Sequence, residues 1–277
     1  MKLYYAPGAC SLAAHITLHE SGLPFTAHRV DLRAHTLADG TDYYKVNPKG
    51  YVPLLELNDG TRLSEVAVIL QYIADREPGT LAPAFGSLER YRVMEWLNFI
   101  ATEIHKGINP LWKPTTPEAY KPVVLEAVGK RLDYVVEALV SKPYLTGDRF
   151  TIADAYLYTI VNWHKFLKFD ISRWPSLAQF HARVEARPKV QAALRAEHLL
   201  KEPAPATAAA RACSVANDRQ CDESPAHAVP VPRLADARGF ARGRRRRVGG
   251  ARTAHRAPRC DPDVLCALGD GAADGHW

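Results

Sequence analysis

The fold is decided by a stretch near the start of the chain, Lys2-Leu3-Tyr4-Tyr5-Ala6-Pro7-Gly8-Ala9-Cys10-Ser11. It predicts a short strand over Lys2–Ala6, a turn at Pro7-Gly8 and a helix over Ser11–Ser21 that a glycine closes. Backbone N–H groups at the start of a helix favour a thiolate over a thiol. Cys10 is therefore a candidate residue for reacting with, or holding, another sulfur, and a buried inert cysteine is the alternative.

Residues 1–80 continue to alternate strand and helix signals. The turn Asn58-Asp59-Gly60 is a strong hairpin signal. The predicted elements after the first helix are a strand over Thr26–Leu32, a helical or irregular piece over Thr41–Asn47, strands over Tyr51–Leu57 and Thr61–Leu63, and a helix over Ser64–Arg76. The order β-α-β-α-β-β-α is that of a thioredoxin-like sheet, so we predict an α/β domain over residues 1–80.

Strand signals stop after a predicted linker over Pro78–Gly86. Apolar residues then recur at helical spacing, as in the series Val124, Val128, Leu132, Val135 and Leu139. The segment Phe150-Thr151-Ile152-Ala153-Asp154 has the pattern of a capping box, with Asp in place of the commoner Glu. We therefore predict an all-α domain over residues 87–202.

Residues 203–277 differ from everything before them. They are rich in Ala, Arg, Gly and Pro, they show no helical or strand period, and they include the run Arg242-Gly243-Arg244-Arg245-Arg246-Arg247. Such a composition predicts a disordered tail. One hypothesis is that this tail is out-of-frame translation of GC-rich DNA past a lost stop codon. The competing hypothesis is an arm for nucleic acid or an anionic surface, which only the arginine run supports.

Charge and cysteine content separate the tail from the body. The net charge of +6 divides into +4 for residues 203–277 and +2 for the rest, so the basic balance is a weak reason to expect nucleic acid. Four of the five cysteines lie in the tail, which leaves Cys10 alone in the body and predicts a reducing, cytoplasmic compartment. No apolar run reaches 18 residues and no secretory signal is evident, so we expect no membrane association.

Two further motifs have the chemistry to bind a peptide-like ligand. If the Val52-Pro53 bond is cis, Val52 presents its backbone N–H and C=O to a ligand that pairs as an added strand. An ordinary edge-strand proline is the alternative. Ser64 is a predicted helix cap, and the free N–H groups after it suit a carboxylate while Glu65 suits the ammonium of the same α-amino acid. Simple capping is the alternative there.

A polar stripe is predicted on a helix of the second half. Asn98, Thr102 and His105 are spaced i, i+4 and i+7, which places them on one face of an α-helix, and Glu103 lies beside them. Such a stripe is more often a solvated face. Its functional interest depends on whether it faces Cys10.

Together these motifs resemble the beta class of bacterial glutathione transferases. The resemblance runs from Met1 to about Lys201 and is carried by the opening stretch, by Asn47-Pro48-Lys49-Gly50 with Val52-Pro53, and by the helical segments Glu95–Asn98, Glu103–Lys106 and Phe150–Leu157. It implies a thioredoxin-like glutathione-binding domain, a helical domain and a homodimer. The tail resembles nothing in the family.

The resemblance also implies roles for individual residues. Cys10 would contact the glutathione sulfur, and Val52 would pair with the cysteinyl backbone. The γ-glutamyl end would be held by Glu65 and the backbone of Val66, and the helical wall would be lined by Asn98, Thr102, Glu103, Ile104 and His105. Two departures are expected to weaken binding: His35 stands where relatives often have Lys for the glycyl carboxylate, and Val66 where relatives usually have Gly or Ser.

The expected activity is conjugation of reduced glutathione, as co-substrate and without a metal, to a small hydrophobic electrophile in detoxification. Cys10 and His105 are the expected catalytic residues, and Trp112 and Trp163 are candidate residues of the acceptor pocket. One alternative keeps the fold but uses Cys10 for thiol-disulfide exchange or reductive dehalogenation. The other alternative is a non-catalytic protein that binds glutathione or apolar ligands.

Overall fold

A computed structural model of the chain describes residues 1–167 and 169–201. The predictions for residues 203–277, including disorder and the basic arm, lie outside the described residues. No helix in the described ranges is long and apolar enough to cross a membrane.

The first part of the chain forms a five-stranded mixed sheet. Its strands are β1 (Lys2–Tyr5), β2 (Thr26–Asp31), β3 (Thr36–Leu37), β4 (Leu54–Glu56) and β5 (Arg62–Ser64), in the order β3-β2-β1-β4-β5. β1 and β2 are parallel, with Lys2 opposite Thr26, and the other pairs are antiparallel. A parallel pair needs a crossover, which helix α1 (Leu12–Ser21) supplies, with Gly22 as its left-handed cap at φ 72°.

The predicted thioredoxin-like order is confirmed, with two differences in detail. The piece predicted over Thr41–Asn47 is a single 3₁₀ turn, Tyr43–Lys45, and the two-residue strand β3 was not expected. Helix α2 (Val66–Arg76) follows the hairpin of β4 and β5 as predicted. β3 escaped prediction because two residues carry too little pattern to show a period of two.

From residue 88 onward the described chain is helical. The helices are α3 (Leu88–Phe99), α4 (Lys106–Ile108), α5 (Lys121–Leu139), α6 (Ile152–Val161), α7 (His164–Leu167), α8 (Pro175–Glu185) and α9 (Pro188–Ala196). A π-helical segment, Ile100–His105, joins α3 to α4 without a break. The all-α character of this part is confirmed, whereas the boundaries at residues 80 and 87 stay a prediction.

One apolar core joins the sheet to the helices. Leu3, Leu12 and Ile69 from the first part share a buried cluster with Leu97 and Leu157 from the helices. α1 packs on α2, α6 and α9, so the helix that follows Cys10 is held from three sides. Close packing of this kind lets the turn before α1 keep a fixed position relative to the helical wall.

The capping box at the start of α6 is confirmed. The Asp154 carboxylate accepts hydrogen bonds from the Thr151 backbone N–H (2.8 Å) and hydroxyl (2.9 Å), and its second oxygen accepts one from the Leu145 N–H (2.9 Å). The N–H of Ile152 donates to the carbonyl of Leu81 at 3.0 Å. The cap therefore fixes the start of α6 and ties it to the segment that follows α2.

Candidate active site

Cys10 lies in the turn between β1 and α1, as predicted. The turn is held by Ser11, whose hydroxyl donates to the carbonyl of Ala6 and accepts from its N–H, both at 3.2 Å. The Cys10 thiol is half-buried and donates to the backbone carbonyl of Val52 at 3.3 Å. The sulfur therefore sits directly against the loop that precedes β4.

The structure corrects the expectation of a thiolate at Cys10. Burial raises the pKa of the thiol to about 12, and the charges of Glu65 and Glu197 raise it further. The backbone N–H groups of Cys10 and Ser11 lower it, as the sequence analysis anticipated, but their effect is smaller than that of burial. Cys10 is thus a neutral thiol and a hydrogen-bond donor.

Val52 lies next to Cys10, in the loop before β4. Its bond to Pro53 is cis, and its side chain is buried. The preceding carbonyl, that of Tyr51, accepts hydrogen bonds from Tyr43 (2.9 Å) and Asn47 (2.7 Å), which fix the loop. Within the described residues the N–H of Val52 has no hydrogen-bond partner, and its C=O has only Cys10.

Glu65 lies at the N-terminus of α2 and corrects the predicted cap. The position before the helix belongs to Glu65 rather than Ser64, which ends β5. Glu65 has φ 72°, a left-handed conformation that is uncommon for a residue with a Cβ and recurs at ligand-binding sites. Its carboxylate accepts from the ammonium of Lys49 at 2.9 Å.

Two backbone donors follow Glu65. The N–H groups of Val66 and Ala67 have no acceptor in the part of the chain that the structure describes. They lie at the positive end of an eleven-residue helix, where a carboxylate is stabilised. A carboxylate acceptor and free N–H donors therefore stand side by side, which suits the two charges of an α-amino acid.

His105 faces inward near the end of the π-helical segment. Its Nδ1 lies 2.7 Å from the hydroxyl of Tyr156 on α6, and its ring meets the edge of Trp163 at 5.1 Å. Burial lowers its pKa to about 4, the charge of Lys106 lowers it further, and the charge of Glu65 raises it. His105 is therefore a neutral imidazole near pH 7.

The polar stripe predicted around His105 does not form as expected. The spacing of Asn98, Thr102 and His105 assumes an α-helix, but residues 100–105 are π-helical, which changes which residues share a face. Asn98 and Thr102 are exposed, and the Thr102 hydroxyl donates to the Asn98 carbonyl at 3.0 Å. Glu103 instead accepts from Arg131 of α5 at 3.1 Å, and Ile104 is buried in the core.

Electrostatic influence indicates which of the candidate residues lie near one another. The charge of Glu65 acts on Cys10, on His105 and on Tyr156. Cys10 thus contacts Val52, and Glu65 lies within electrostatic range of both Cys10 and His105. Asn98, Thr102 and the Glu103 carboxylate show no contact with this group among the described residues.

His35 lies on the loop before β3, where the predicted site was to hold a carboxylate. Its backbone is left-handed at φ 52°, and its ring stacks on Tyr44 at 4.5 Å. Its Nδ1 is buried without a hydrogen-bond partner. The His35 ring therefore has one nitrogen without a hydrogen-bond partner, and stacking on Tyr44 holds that ring in place.

A buried clamp behind the Cys10 turn was missed by sequence reasoning. The carboxylate of Glu197, after α9, accepts from the Gly8 N–H and pairs with His15 Nδ1 of α1, both at 2.9 Å. Trp163 donates its indole N–H to the Gly8 carbonyl at 2.8 Å. These partners are separated by more than 150 residues in the sequence and leave no local signal. Only the fold reveals that Trp163 and Glu197 hold this turn.

The histidine stack beside this clamp predicts acid sensitivity. His19 stacks on His15 at 5.1 Å, and burial, with the charges of His15 and Lys189, lowers its pKa to about 4 although Glu20 opposes the shift. The unfolded chain takes up this proton below pH 6.5 and the folded chain does not, so stability is lost as pH falls towards about 4. Because His19 is half-buried, we expect this residue to account for about 1–2 kcal/mol of that loss.

Urea unfolding across this pH range tests the effect. His19→Gln should flatten the fall in the free energy of unfolding by that amount. Parallel curves for the variant and the wild type would contradict the assignment.

No group of three or more His, Cys, Asp or Glu side chains in residues 1–167 and 169–201 is arranged to hold a metal ion. The candidate site consists of the Cys10 thiol, the neutral imidazole of His105, the Glu65 carboxylate and free backbone donors.

The chain combines a thioredoxin-like sheet, with a thiol at its first strand-helix turn, and an all-helical part. Two family models match the chain: the glutathione S-transferase N-terminal domain over residues 8–76 and the C-terminal domain over residues 99–188. The chain belongs to the glutathione S-transferase family, and it is a glutathione transferase.

Similar individual proteins are also glutathione S-transferases. The chain is 53% identical over 201 residues to the glutathione S-transferase GstA of Escherichia coli O157:H7, which covers 72% of this chain and 100% of the relative. Its structure is similar to that of a beta-class enzyme of Sphingomonas chungbukensis (42% identity, TM-score 0.70) and to a sphingomonad enzyme complexed with glutathione (42% identity, TM-score 0.69). Each structure covers 72% of this chain and 100% of its own. The beta-class resemblance is thus confirmed.

Proposed function

We propose that this enzyme conjugates reduced glutathione to small hydrophobic electrophiles, as a detoxification activity. The observation that carries the proposal is that the Cys10 thiol contacts Val52, and that Glu65 lies near enough to Cys10 and His105 for its charge to act on both. Each presents a group that complements a different part of the tripeptide. A related enzyme of known structure holds glutathione.

The tripeptide would bind in an extended form across Glu65, Val52 and Cys10. Its γ-glutamyl carboxylate would accept from the free N–H groups of Val66 and Ala67, and its ammonium would meet the Glu65 carboxylate. Its cysteinyl unit would pair with the N–H and C=O of Val52. The Val52 carbonyl would then exchange its Cys10 donor for the ligand's N–H.

That exchange would release the Cys10 thiol as a donor next to the glutathione sulfur. A thiol with a raised pKa keeps its proton and donates it in a hydrogen bond to a thiolate, which lowers the pKa of the bound glutathione. The sulfur's own proton leaves to solvent. The thiolate then forms a carbon–sulfur bond to the electrophile, and the leaving group departs with its electron pair.

The acceptor side is aromatic. Trp163 lies against His105, Trp112 meets Trp163 edge-on at 5.3 Å, and Phe166 lies 6.3 Å from Trp112. The rings of Trp112 and Phe166 are partly exposed, so they offer apolar surface to a small molecule beside the sulfur. A wall of this kind favours hydrophobic electrophiles over charged ones.

We also propose a cytoplasmic homodimer. Phe85, Leu88 and Tyr91 lie around the start of α3 and are strongly exposed, with Phe85 80% accessible. Apolar side chains clustered in this way suit burial by another protein surface, here a second copy of the chain. Light scattering that gives a monomer mass at micromolar concentration would contradict this part of the proposal.

Conjugation is separated from thiol-disulfide exchange by two substitutions of Cys10. Cys10→Ala should lower kcat for conjugation about three- to tenfold, because one hydrogen bond to the sulfur is lost. Cys10→Ser restores a donor and should recover most of that activity. Both variants should abolish any reduction of glutathione mixed disulfides, since no thiol remains to attack.

The measurement is turnover of a panel of electrophiles with reduced glutathione, beside reduction of a mixed disulfide. Equal and complete loss of both activities in Cys10→Ser would show that Cys10 is a nucleophile and would contradict the proposal. Retention of wild-type protein on immobilised glutathione without turnover of any electrophile would contradict it as well.

A further inference from the structure

The hydrogen bond between Tyr156 and His105 is the best-defined polar contact beside the sulfur site that the proposed chemistry leaves unused. The hydroxyl of Tyr156 and Nδ1 of His105 are 2.7 Å apart, and the two rings meet edge-to-face at 87°. Tyr156 is 2% exposed and belongs to α6, whose start is fixed by the capping box. Trp163 also packs against the imidazole, with the ring centroids 5.1 Å apart.

This contact decides where the imidazole carries its proton. A buried tyrosine hydroxyl has one hydrogen to place, and within the described residues His105 Nδ1 is its one hydrogen-bond partner. Donation from Tyr156 makes Nδ1 the acceptor. A neutral imidazole has one donor and one acceptor nitrogen, so the proton must then lie on Nε2.

The second nitrogen is free to act on a ligand. Nε2 of His105 has no hydrogen-bond partner in residues 1–167 and 169–201 and is not sealed from solvent. Cys10 lies within electrostatic range of Tyr156, which places the phenol near the sulfur site. Burial raises the pKa of Tyr156, and the charge of Glu65 raises it further, so the phenol keeps its proton and remains a donor.

We propose that Tyr156 is a positioning residue that holds His105 in the tautomer with its proton on Nε2, so that His105 meets the glutathione sulfur as a hydrogen-bond donor. This inference rests on the proposed function. It assigns His105 a defined task, stabilisation of the thiolate, and excludes the opposite task of accepting the thiol proton at Nε2. The phenol polarises the imidazole and strengthens that donor.

The matched variants are Tyr156→Phe and Tyr158→Phe. Both tyrosines are buried in α6, and both hydroxyls make one hydrogen bond, that of Tyr158 to Glu185 at 3.0 Å. Tyr156→Phe keeps the ring but frees His105 to place its proton on either nitrogen. We expect kcat to fall about tenfold, the KM for glutathione to change less than about twofold, and Tyr158→Phe to leave both unchanged.

Two readouts separate positioning from a merely structural role. The pKa of enzyme-bound glutathione, followed by the ultraviolet absorbance of its thiolate, should rise about one unit in Tyr156→Phe and stay unchanged in Tyr158→Phe. Nitrogen-15 NMR of the ligand-free wild type at neutral pH should show the His105 proton on Nε2, and Tyr156→Phe should show a mixture of tautomers.

A proton on Nδ1 in the wild type would overturn the inference. So would equal kinetic losses in the two tyrosine variants, or an unchanged thiol pKa in Tyr156→Phe. In a protein that already carries His105→Asn, Tyr156→Phe should cause no further loss of kcat. Additive losses in the double variant would overturn the inference. A wild-type protein that fails to conjugate glutathione would reject the proposed function. The NMR measurement of the His105 tautomer needs no glutathione, so it would still decide whether Tyr156 sets that tautomer.

Discussion

Replacing Glu65 with glutamine is expected to raise the KM for glutathione about 10- to 30-fold, with a smaller change in kcat. The carboxylate stands beside the free N–H groups of Val66 and Ala67, where it would meet the γ-glutamyl ammonium. A hydrogen bond to a charged group contributes about 1.5–3 kcal/mol, and solvent around the exposed carboxylate reduces that to the lower part of the range. The loss acts on binding because this ammonium is distant from the reacting sulfur.

The substitution preserves the unusual backbone at this position. Glutamine has the same number of side-chain heavy atoms as glutamate, so the steric cost of φ 72° should be the same for both residues. The start of α2 should therefore not change. Lys49, which donates to Glu65 at 2.9 Å, would lose its charged partner, and an exposed pair of this type contributes little to stability. Glu77→Gln, at the opposite end of α2, is the matched control.

Two measurements decide this prediction. Initial rates over a range of glutathione concentrations give KM and kcat, and calorimetry gives the Kd of a glutathione analogue that lacks the α-amino group. Wild type and Glu65→Gln should bind that analogue with similar Kd, since neither has an ammonium to pair. An equal rise of KM in Glu77→Gln, or an unchanged KM in Glu65→Gln, would show that the γ-glutamyl end binds elsewhere.

The fold was predictable because its signals are local. The strand-turn-helix at Cys10, the Asn58-Asp59-Gly60 hairpin and the capping box at Thr151 each occupy a few consecutive residues, and each has a conformation that its side chains favour. Their order then restricts the topology, because the parallel pair needs the crossover helix. The position of Cys10 against Val52 follows from that topology.

The site was less predictable because its decisive features are not local. The left-handed backbone of Glu65 displaced the predicted cap at Ser64, and the π-helical segment changed the stripe that ends at His105. Burial reversed the expected pKa shift of Cys10. The partners Tyr156 and Glu197 lie 51 and 182 residues from the histidines they hold, a separation at which a single sequence carries no pairing signal. The roles of the site residues in binding stay proposals.

The cap of α6 is expected to be the most costly polar interaction to remove. The Asp154 side chain is fully buried and accepts three hydrogen bonds, from the backbone N–H groups of Thr151 and Leu145 and from the Thr151 hydroxyl. Asp154→Ala leaves two buried backbone donors without an acceptor and removes a negative charge from the helix N-terminus. Each unsatisfied buried donor costs about 1–3 kcal/mol, so the free energy of unfolding should fall by about 3–5 kcal/mol.

Urea unfolding followed by far-ultraviolet circular dichroism and by tryptophan fluorescence measures this loss. Asp148→Ala, in the exposed loop before the cap, should change the free energy of unfolding by less than about 0.5 kcal/mol. α6 carries Tyr156 and packs against α1, and this packing should hold α6 in place in the molecules that remain folded. The folded fraction of Asp154→Ala should therefore keep its KM for glutathione, whereas the thermal midpoint of the variant should fall sharply. A loss below 1 kcal/mol would mean that water satisfies these donors, and the buried cap would then not be what holds α6 in place.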